Sequence, residues 1–489
     1  MMRTRAAYLS LLAFTMLSRQ PAFAAAEVFD PEHPARAATA QARIDELFQP
    51  WSRSDAPGCA VAAIRQGRTV LEGSYGMADL EQGVAIRPDT VFNIASVSKQ
   101  FTATAVALLD QDGLLSWDDD VRKYVPELRD YGHRITLRHL ANHTSGLRNW
   151  TDLMDLVGWN WVDAFPQSQL IDLIVRQRQL DFAPGTKWSY SNTGYILMAV
   201  IVERVSGKTL GAFARERIFL PLGMVHSRFY DDRTMIMKGR AIGHVKRADG
   251  SIGVWRPTYE VVGDGAVLTT VQDMTHWERN FWEPRLGRDP ARLVSTLTQP
   301  GRLNDGKVLD YALGLGVGTY RGLEVIRHSG GIPGYTTQMI VVPARQFAVT
   351  VFCNQIAPVT KLAQSVTDVL LEGEFQGGEP TSLQAAAPAE AAHESSTPAV
   401  TLSAKQLAAY AGTYYSDELD VYYEVSARDG LWVRIARTSP VRWTAVRRDE
   451  FTSEEIQMKF ARDGSGKVVG FSLSSGGIQG IRFERVKQR

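Results

Sequence analysis

A serine and a lysine three positions apart, Ser96 and Lys99 in Ala95-Ser96-Val97-Ser98-Lys99, stand at the head of an uncharged run from Phe101 to Leu109. The pattern predicts a helix buried on all sides that stops near Gly113. Residues at i and i+3 share a helix face, so the hydroxyl and the amine point the same way, as a nucleophile and its base must. An ammonium at the mouth of an apolar helix is poorly solvated, which lowers its pKa and lets neutral amine accept the serine proton. Free N–H groups at the helix start favour developing negative charge on Ser96. Taken alone, the same residues also describe an N-cap serine with an exposed lysine one turn on. Two further segments supply what acyl transfer needs beyond a nucleophile. In Tyr190-Ser191-Asn192, Tyr190 can relay a proton to the leaving group, and Asn192 can hold a substrate carbonyl or Lys99. In His328-Ser329-Gly330-Gly331, placed at a strand end, glycine lets a substrate lie along the strand edge. The Gly331 N–H can there join that of Ser96 as an oxyanion hole.

The elements that must position these groups follow from pattern. Residues 57–81 alternate and turn as a hairpin bent at Gln66-Gly67-Arg68, giving two strands before the Ser96 helix. From Trp117 to about Thr258 the pattern is mainly helical, with helices expected over Trp188–Val205 and Leu210–Ile218. Strands resume at Val267. Leu323–His328, Tyr335–Val342 and Phe347–Cys353 then follow one another through short turns and complete an antiparallel sheet, closed by a helix over Thr360–Leu371. If the first and last of these sheet strands are antiparallel neighbours, Cys59 and Cys353 come together and a disulfide is possible; a free buried cysteine is the alternative. Residues 373–400 shift to linker composition. From 401 to 489 short aromatic and β-branched runs, punctuated by Asp429-Gly430 and Asp463-Gly464-Ser465-Gly466, predict a small antiparallel barrel.

Ser96-Val97-Ser98-Lys99, Tyr190-Ser191-Asn192 and His328-Ser329-Gly330 resemble, in order and spacing, the three signatures of the serine β-lactamase and penicillin-binding-protein superfamily. The segments 135–147 and 263–270 are similar to two further blocks of its class C-like branch, so the resemblance covers roughly residues 40–372. It implies an α+β fold, an antiparallel sheet flanked by helices plus an all-helical region, with the site between them. It also implies that Ser96 is acylated, that Lys99 and Tyr190 share acid and base work in an order left open, and that neither metal nor organic cofactor is required. One departure stands out. The family's lactamases and transpeptidases carry Lys-Thr/Ser-Gly where this chain has His328-Ser329-Gly330, and a largely neutral histidine offers no fixed charge to a β-lactam carboxylate. His-x-Gly here is similar to the D-aminopeptidases of the family, and Leu407–Tyr415 looks like the opening of a lipocalin-like barrel.

The expected activity is therefore an exported serine hydrolase of small amides, peptides or esters, with D-amino-acid peptides favoured. A carboxylesterase or weak β-lactamase using the same residues, and a penicillin-binding or sensing module without turnover, are the alternatives. Residues 1–24, with Arg3 and Arg5 before an apolar run and Ala22-Phe23-Ala24 after it, read as a cleavable signal peptide, which places the hydrolase domain at 25–372 in a periplasm or outside the cell. That apolar run is shorter than the ~20 residues that span a bilayer, so no stable membrane anchor is expected after cleavage. A formal net charge of +1 over 489 residues gives no reason to expect a nucleic-acid partner. Oligomeric state is not readable. His143 reads as a backbone-holding residue rather than a base, and Asp118-Asp119-Asp120 as a solvated turn. Gly314-Leu315-Gly316-Val317-Gly318 reads as no nucleotide loop, and most of Trp150, Trp159, Trp161 and Trp188 as core.

Overall fold

The computed structural model describes residues 27–486, apart from 31, 32, 257, 259, 378–399, 437, 454 and 455. The expected signal peptide and most of the expected linker lie outside the described residues.

A seven-stranded antiparallel sheet organises the first domain. Its order is Glu27–Val28, Arg68–Tyr75, Cys59–Arg65, Phe347–Cys353, Tyr335–Val342, Leu323–Ile332 and Gly316–Tyr320. Both faces are covered, because successive strand residues point to opposite sides and both sets are apolar. Cys59, Val61 and Ala63 pack with Ile44 and Phe48 of the helix Pro34–Phe48 and with Leu362 and Val366 of the helix Val359–Leu370. Ala60, Ala62 and Ile64 face the other way, into the core that holds the Ser96 helix. The hairpin turns at Gln66 (φ 49°) and Gly67 (φ 74°), two left-handed residues of the kind a tight two-residue turn demands. Cys59 lies directly opposite Cys353 in the ladder, with Cα atoms 4.0 Å apart, and the two form a disulfide.

Three expected boundaries move. Ser96 sits in a 3₁₀ turn, Ala95–Ser98, and the α-helix proper runs Lys99–Gln111 before Gly113 (φ 74°) ends it. The tighter turn arises because the chain swings sharply out of the short strand Phe92–Asn93, placing Ala95 at φ 46°. The helix expected from Trp188 begins only at Thr193. Residues just before it pair with the His143 loop instead, through Ser189 N–H to the His143 carbonyl (2.9 Å) and Ser191 N–H to His143 Nδ1 (3.2 Å). The strand expected to end at His328 continues to Ile332, so the glycine pair lies within it.

The helical region contributes Trp150–Val157, Gln167–Val175 and Thr193–Ser206, the last packed on the Ser96 helix. Trp150, Trp159, Trp161 and Phe165 form one aromatic cluster there. After the helix Ala404–Ala408, eight strands from Gly412–Ser416 to Ile478–Arg485 close into an antiparallel barrel, Tyr414 meeting Arg485 at the closure. Tyr414, Tyr423, Phe460, Phe471 and Phe483 fill it. Alternation decides which way these rings point: along Val421–Ala427, for example, Val421, Tyr423 and Val425 are buried and Tyr422 and Glu424 exposed.

Candidate active site

Ser96 stands on a strained turn. A left-handed alanine costs about 1–2 kcal/mol, and the surroundings hold it there: Asn93 Oδ1 accepts the Ala95 N–H at 2.9 Å, and the Thr337 hydroxyl donates to the Ile94 carbonyl at 2.9 Å. Gly330 completes the vise. A Cβ on it would fall 2.3 Å from the Ile94 carbonyl oxygen and 2.4 Å from Thr337 Oγ1, so only glycine lets the strand lie this close to the Ser96 turn. Gly331 is different; a Cβ there meets nothing within 4 Å. The ladder with Gly316–Tyr320 stops at the pair Gly316–Arg327, so among the described residues the strand from His328 onward is paired only on its Tyr335–Val342 side. Its other edge is free to take an extended substrate.

Lys99 is fully buried, and its Nζ has three neighbours: Ser96 Oγ at 3.0 Å, Asn192 Oδ1 at 2.8 Å and the Asp264 carbonyl oxygen at 2.7 Å. The last two can only accept. A neutral amine has two N–H donors and one lone pair; with both donors consumed, the lone pair is left for the Ser96 O–H. Burial lowers the Lys99 pKa to about 8, partly opposed by the Asp264 carboxylate. Tyr190 stacks close to this amine, 4.9 Å from Nζ to ring centroid, with its hydroxyl in hydrogen-bonding reach of Ser96. Burial pushes its phenol up, the Ser96 hydrogen bond pulling the other way and the Asp264 charge adding to the rise, so it is protonated at neutral pH.

His328 is buried, and both its ring nitrogens are engaged inside the protein. Nδ1 faces the Ser329 carbonyl oxygen at 2.6 Å and Nε2 faces the Tyr311 hydroxyl at 2.9 Å. Since a carbonyl only accepts, Nδ1 carries the proton and Nε2 accepts from Tyr311. Burial and then the Lys99 charge lower its pKa to about 3, so the ring is neutral. Ser329 is partly exposed on the same strand. His143 holds backbone: its Nδ1 lies at Ser191, its φ is 60°, and its ring packs 4.2 Å from Tyr190 and 4.8 Å from Tyr311. Burial drives its pKa well down. Trp188 joins this group, 6.1 Å from Tyr311, and is partly exposed rather than core.

The structure thus brings Ser96, Lys99, Tyr190 and Asn192 together, with the Ser329–Gly331 edge against the same turn. It adds two residues that sequence reasoning did not single out. Asp264 supplies a carbonyl to Lys99 and a carboxylate Oδ2 to the Trp150 indole N–H at 2.8 Å; burial raises its pKa, with Lys99 opposing. Its only sequence signal was its place in the 263–270 block. Tyr311 anchors His328 and packs on His143 and Tyr190, and no motif announces it.

A serine, a buried lysine and a tyrosine set between a sheet and a helical region define a class, and comparison with known proteins gives it a family. The profile of the Beta-lactamase family matches residues 40–370, and the chain belongs to that family. Penicillin-binding protein 4* of Bacillus subtilis is 30% identical over 318 residues, 61% of this chain and 68% of that protein. A D-aminopeptidase of Gluconobacter oxydans is 29% identical over 342 residues, 68% of this chain and 63% of the relative's length. Among solved structures, a D-amino acid amidase from Ochrobactrum anthropi SV3 in complex with L-phenylalanine amide superposes with TM-score 0.57 and 25% identity, over 68% of this chain and 97% of that one. An octameric penicillin-binding protein homologue from Pyrococcus abyssi shares the fold over 91% of this chain and 99% of its own, with TM-score 0.60 and 22% identity.

Proposed function

We propose that the protein is an exported serine hydrolase that cleaves D-amino-acid amides or short peptides through an acyl-enzyme on Ser96. The observation that carries this is the Lys99 amine, buried, 3.0 Å from Ser96 Oγ and with both other partners restricted to accepting. Lys99 takes the Ser96 proton as Oγ bonds to the substrate carbonyl carbon, and the carbonyl oxygen becomes an oxyanion received by the Ser96 and Gly331 N–H groups. When the C–N bond breaks, the departing amine gains a proton delivered through Tyr190. Water then attacks the ester and returns Ser96. Lys99 is the better first base, since a phenol raised by burial has almost no phenolate at neutral pH. The relatives named D-aminopeptidase and D-amino acid amidase support the substrate class.

The neutral, internally bonded His328 argues against strong penicillin hydrolysis, because no fixed charge at that position meets a carboxylate. Intact mass with time, after mixing with a fluorophosphonate and separately with D- and L-phenylalanine amide, tests the reading. Ser96-dependent label with faster turnover of the D-amide supports it. Label that never clears with any amide or ester would instead identify an acylatable receptor, and a D-alanyl ester turned over far faster than its amide would identify an esterase.

A further inference from the structure

The barrel reaches the reacting groups through three consecutive residues of the hydrolase domain, Arg148, Asn149 and Trp150. Of these three, Arg148 touches the barrel. Its side chain is 1% exposed, and its Nη1 donates to Glu418 Oε2 of the barrel at 2.6 Å, where the Glu418 side chain is 4% exposed. Nη2 donates to the Gln479 carbonyl of the barrel at 2.8 Å. Glu418 is also gripped from the hydrolase side, its Oε2 accepting the Arg178 N–H at 3.1 Å and its carbonyl the Gln177 amide at 3.2 Å. Asp181 sits 3.7 Å from Arg148 Nε as the second acid of this node. A buried guanidinium held this way fixes its own backbone.

That backbone is what the site hangs on. The Arg148 carbonyl accepts the Thr193 hydroxyl at 2.6 Å, one residue past Asn192. Asn149 Oδ1 accepts the Asn192 N–H at 2.9 Å. Trp150 Nε1 donates to Asp264 Oδ2 at 2.8 Å. Asn192 and Asp264 are the two residues that consume the Lys99 N–H donors. We infer that Glu418, a residue of the barrel, is a positioning residue for acyl transfer: by clamping Arg148 it sets the 148–150 segment that orients both acceptors of Lys99. The barrel is then part of the working site rather than an appendage. The inference rests on the acyl-transfer reading above.

The test compares full-length variants with a D-amino-acid amide as substrate. Glu418→Gln keeps the shape and removes the charge. Coupling through such a segment changes activity by about tenfold, so kcat/KM should fall by about that factor, mainly in kcat, and Glu418→Asp should recover part of it. Arg176→Ala cuts an exposed ion pair with Asp420 across the same domain boundary and should change nothing. Asn149→Ala combined with Glu418→Gln should fall little further than Asn149→Ala alone, because both act on one route. Unchanged kcat/KM in folded Glu418→Gln, or full additivity in the double variant, overturns the inference. Should Glu418→Gln not fold, Thr193→Val cuts the route at its other end, and unchanged kcat/KM there overturns it equally. Failure of the parent reading looks different: the unsubstituted protein itself would take no label on Ser96.

Discussion

The protonation state of Lys99 offers the sharpest test of the site, because pH is a perturbation that leaves every contact in place. With a pKa of about 8, roughly one lysine in eleven is neutral at pH 7, about one in a hundred at pH 6 and about nine in ten at pH 9. The rate of Ser96 acylation should therefore rise about ninetyfold from pH 6 to pH 9 and level off above pH 9. A lysine of ordinary pKa would keep climbing tenfold per unit to beyond pH 10, and a histidine base would level near pH 7.5. Single-turnover acylation by a D-amino-acid amide, followed by intact mass in buffers of constant ionic strength, measures the curve. Asp264→Asn should shift the midpoint to lower pH, since the carboxylate favours the ammonium. The same depressed pKa opposes folding. Between pH 8 and 10.5 the unfolded chain binds more protons at this lysine than the folded one, so this contribution to stability rises with pH across that window, by about 3 kcal/mol in total. It should show as a convergence of wild type toward Lys99→Met in denaturant titrations as pH rises. An acylation midpoint near 6.5, or a profile flat from pH 6 to 9, would refute Lys99 as the base.

Other consequences follow from packing and burial. Gly330→Ala should abolish acylation and lower the melting temperature, because its methyl group must displace the Ile94 carbonyl or Thr337, whereas Gly331→Ala, which meets open space, should keep most activity. Removing the Cys59–Cys353 disulfide, which spans 294 residues, should destabilise the protein by up to about 5 kcal/mol on loop-closure grounds, seen as a lower denaturant midpoint for the double alanine variant or under reductant. Glu278 is buried in the helix Val271–Arg279, and neither carboxyl oxygen has a partner among the described residues; burial holds its pKa far above the ordinary carboxylate value. Its unfolded form ionises above about pH 4.5, so the folded state loses stability relative to it as pH rises. Glu278→Gln should match wild type near pH 4 and melt higher than wild type at pH 8.

Much of this protein was legible in one dimension. The three-residue spacing of Ser96 and Lys99 put hydroxyl and amine on one side of the turn, and the apolar run behind them called for burial, so a low-pKa amine was one of the two readings the sequence offered; packing decided for it by burying Lys99. Near-unbroken apolar runs over 59–65 and 347–353 marked two strands for a sheet covered on both faces, and left open whether Cys59 and Cys353 meet. The barrel's short alternating runs announced it equally well. Local pattern carries such features because each depends on a period that the chain itself repeats. What it does not carry is contact between distant segments. Asp264 serves Lys99 through a backbone carbonyl, which any residue type possesses, so its identity held no signal for that role. Tyr311 takes the free nitrogen of His328 and makes that histidine an internal strut, a fact that depends on how the 311 loop folds back over the strand. The start of the helix at Thr193 rather than Trp188 was decided by competing hydrogen bonds that Ser189 and Ser191 N–H donate to His143, 48 positions upstream of Ser191. The link from Glu418 to Asn192 joins two domains through a single buried guanidinium. Only tertiary structure decides such things, because burial turns an ordinary polar group into one that must find a partner, and which partner lies within 3 Å is a property of the packed chain.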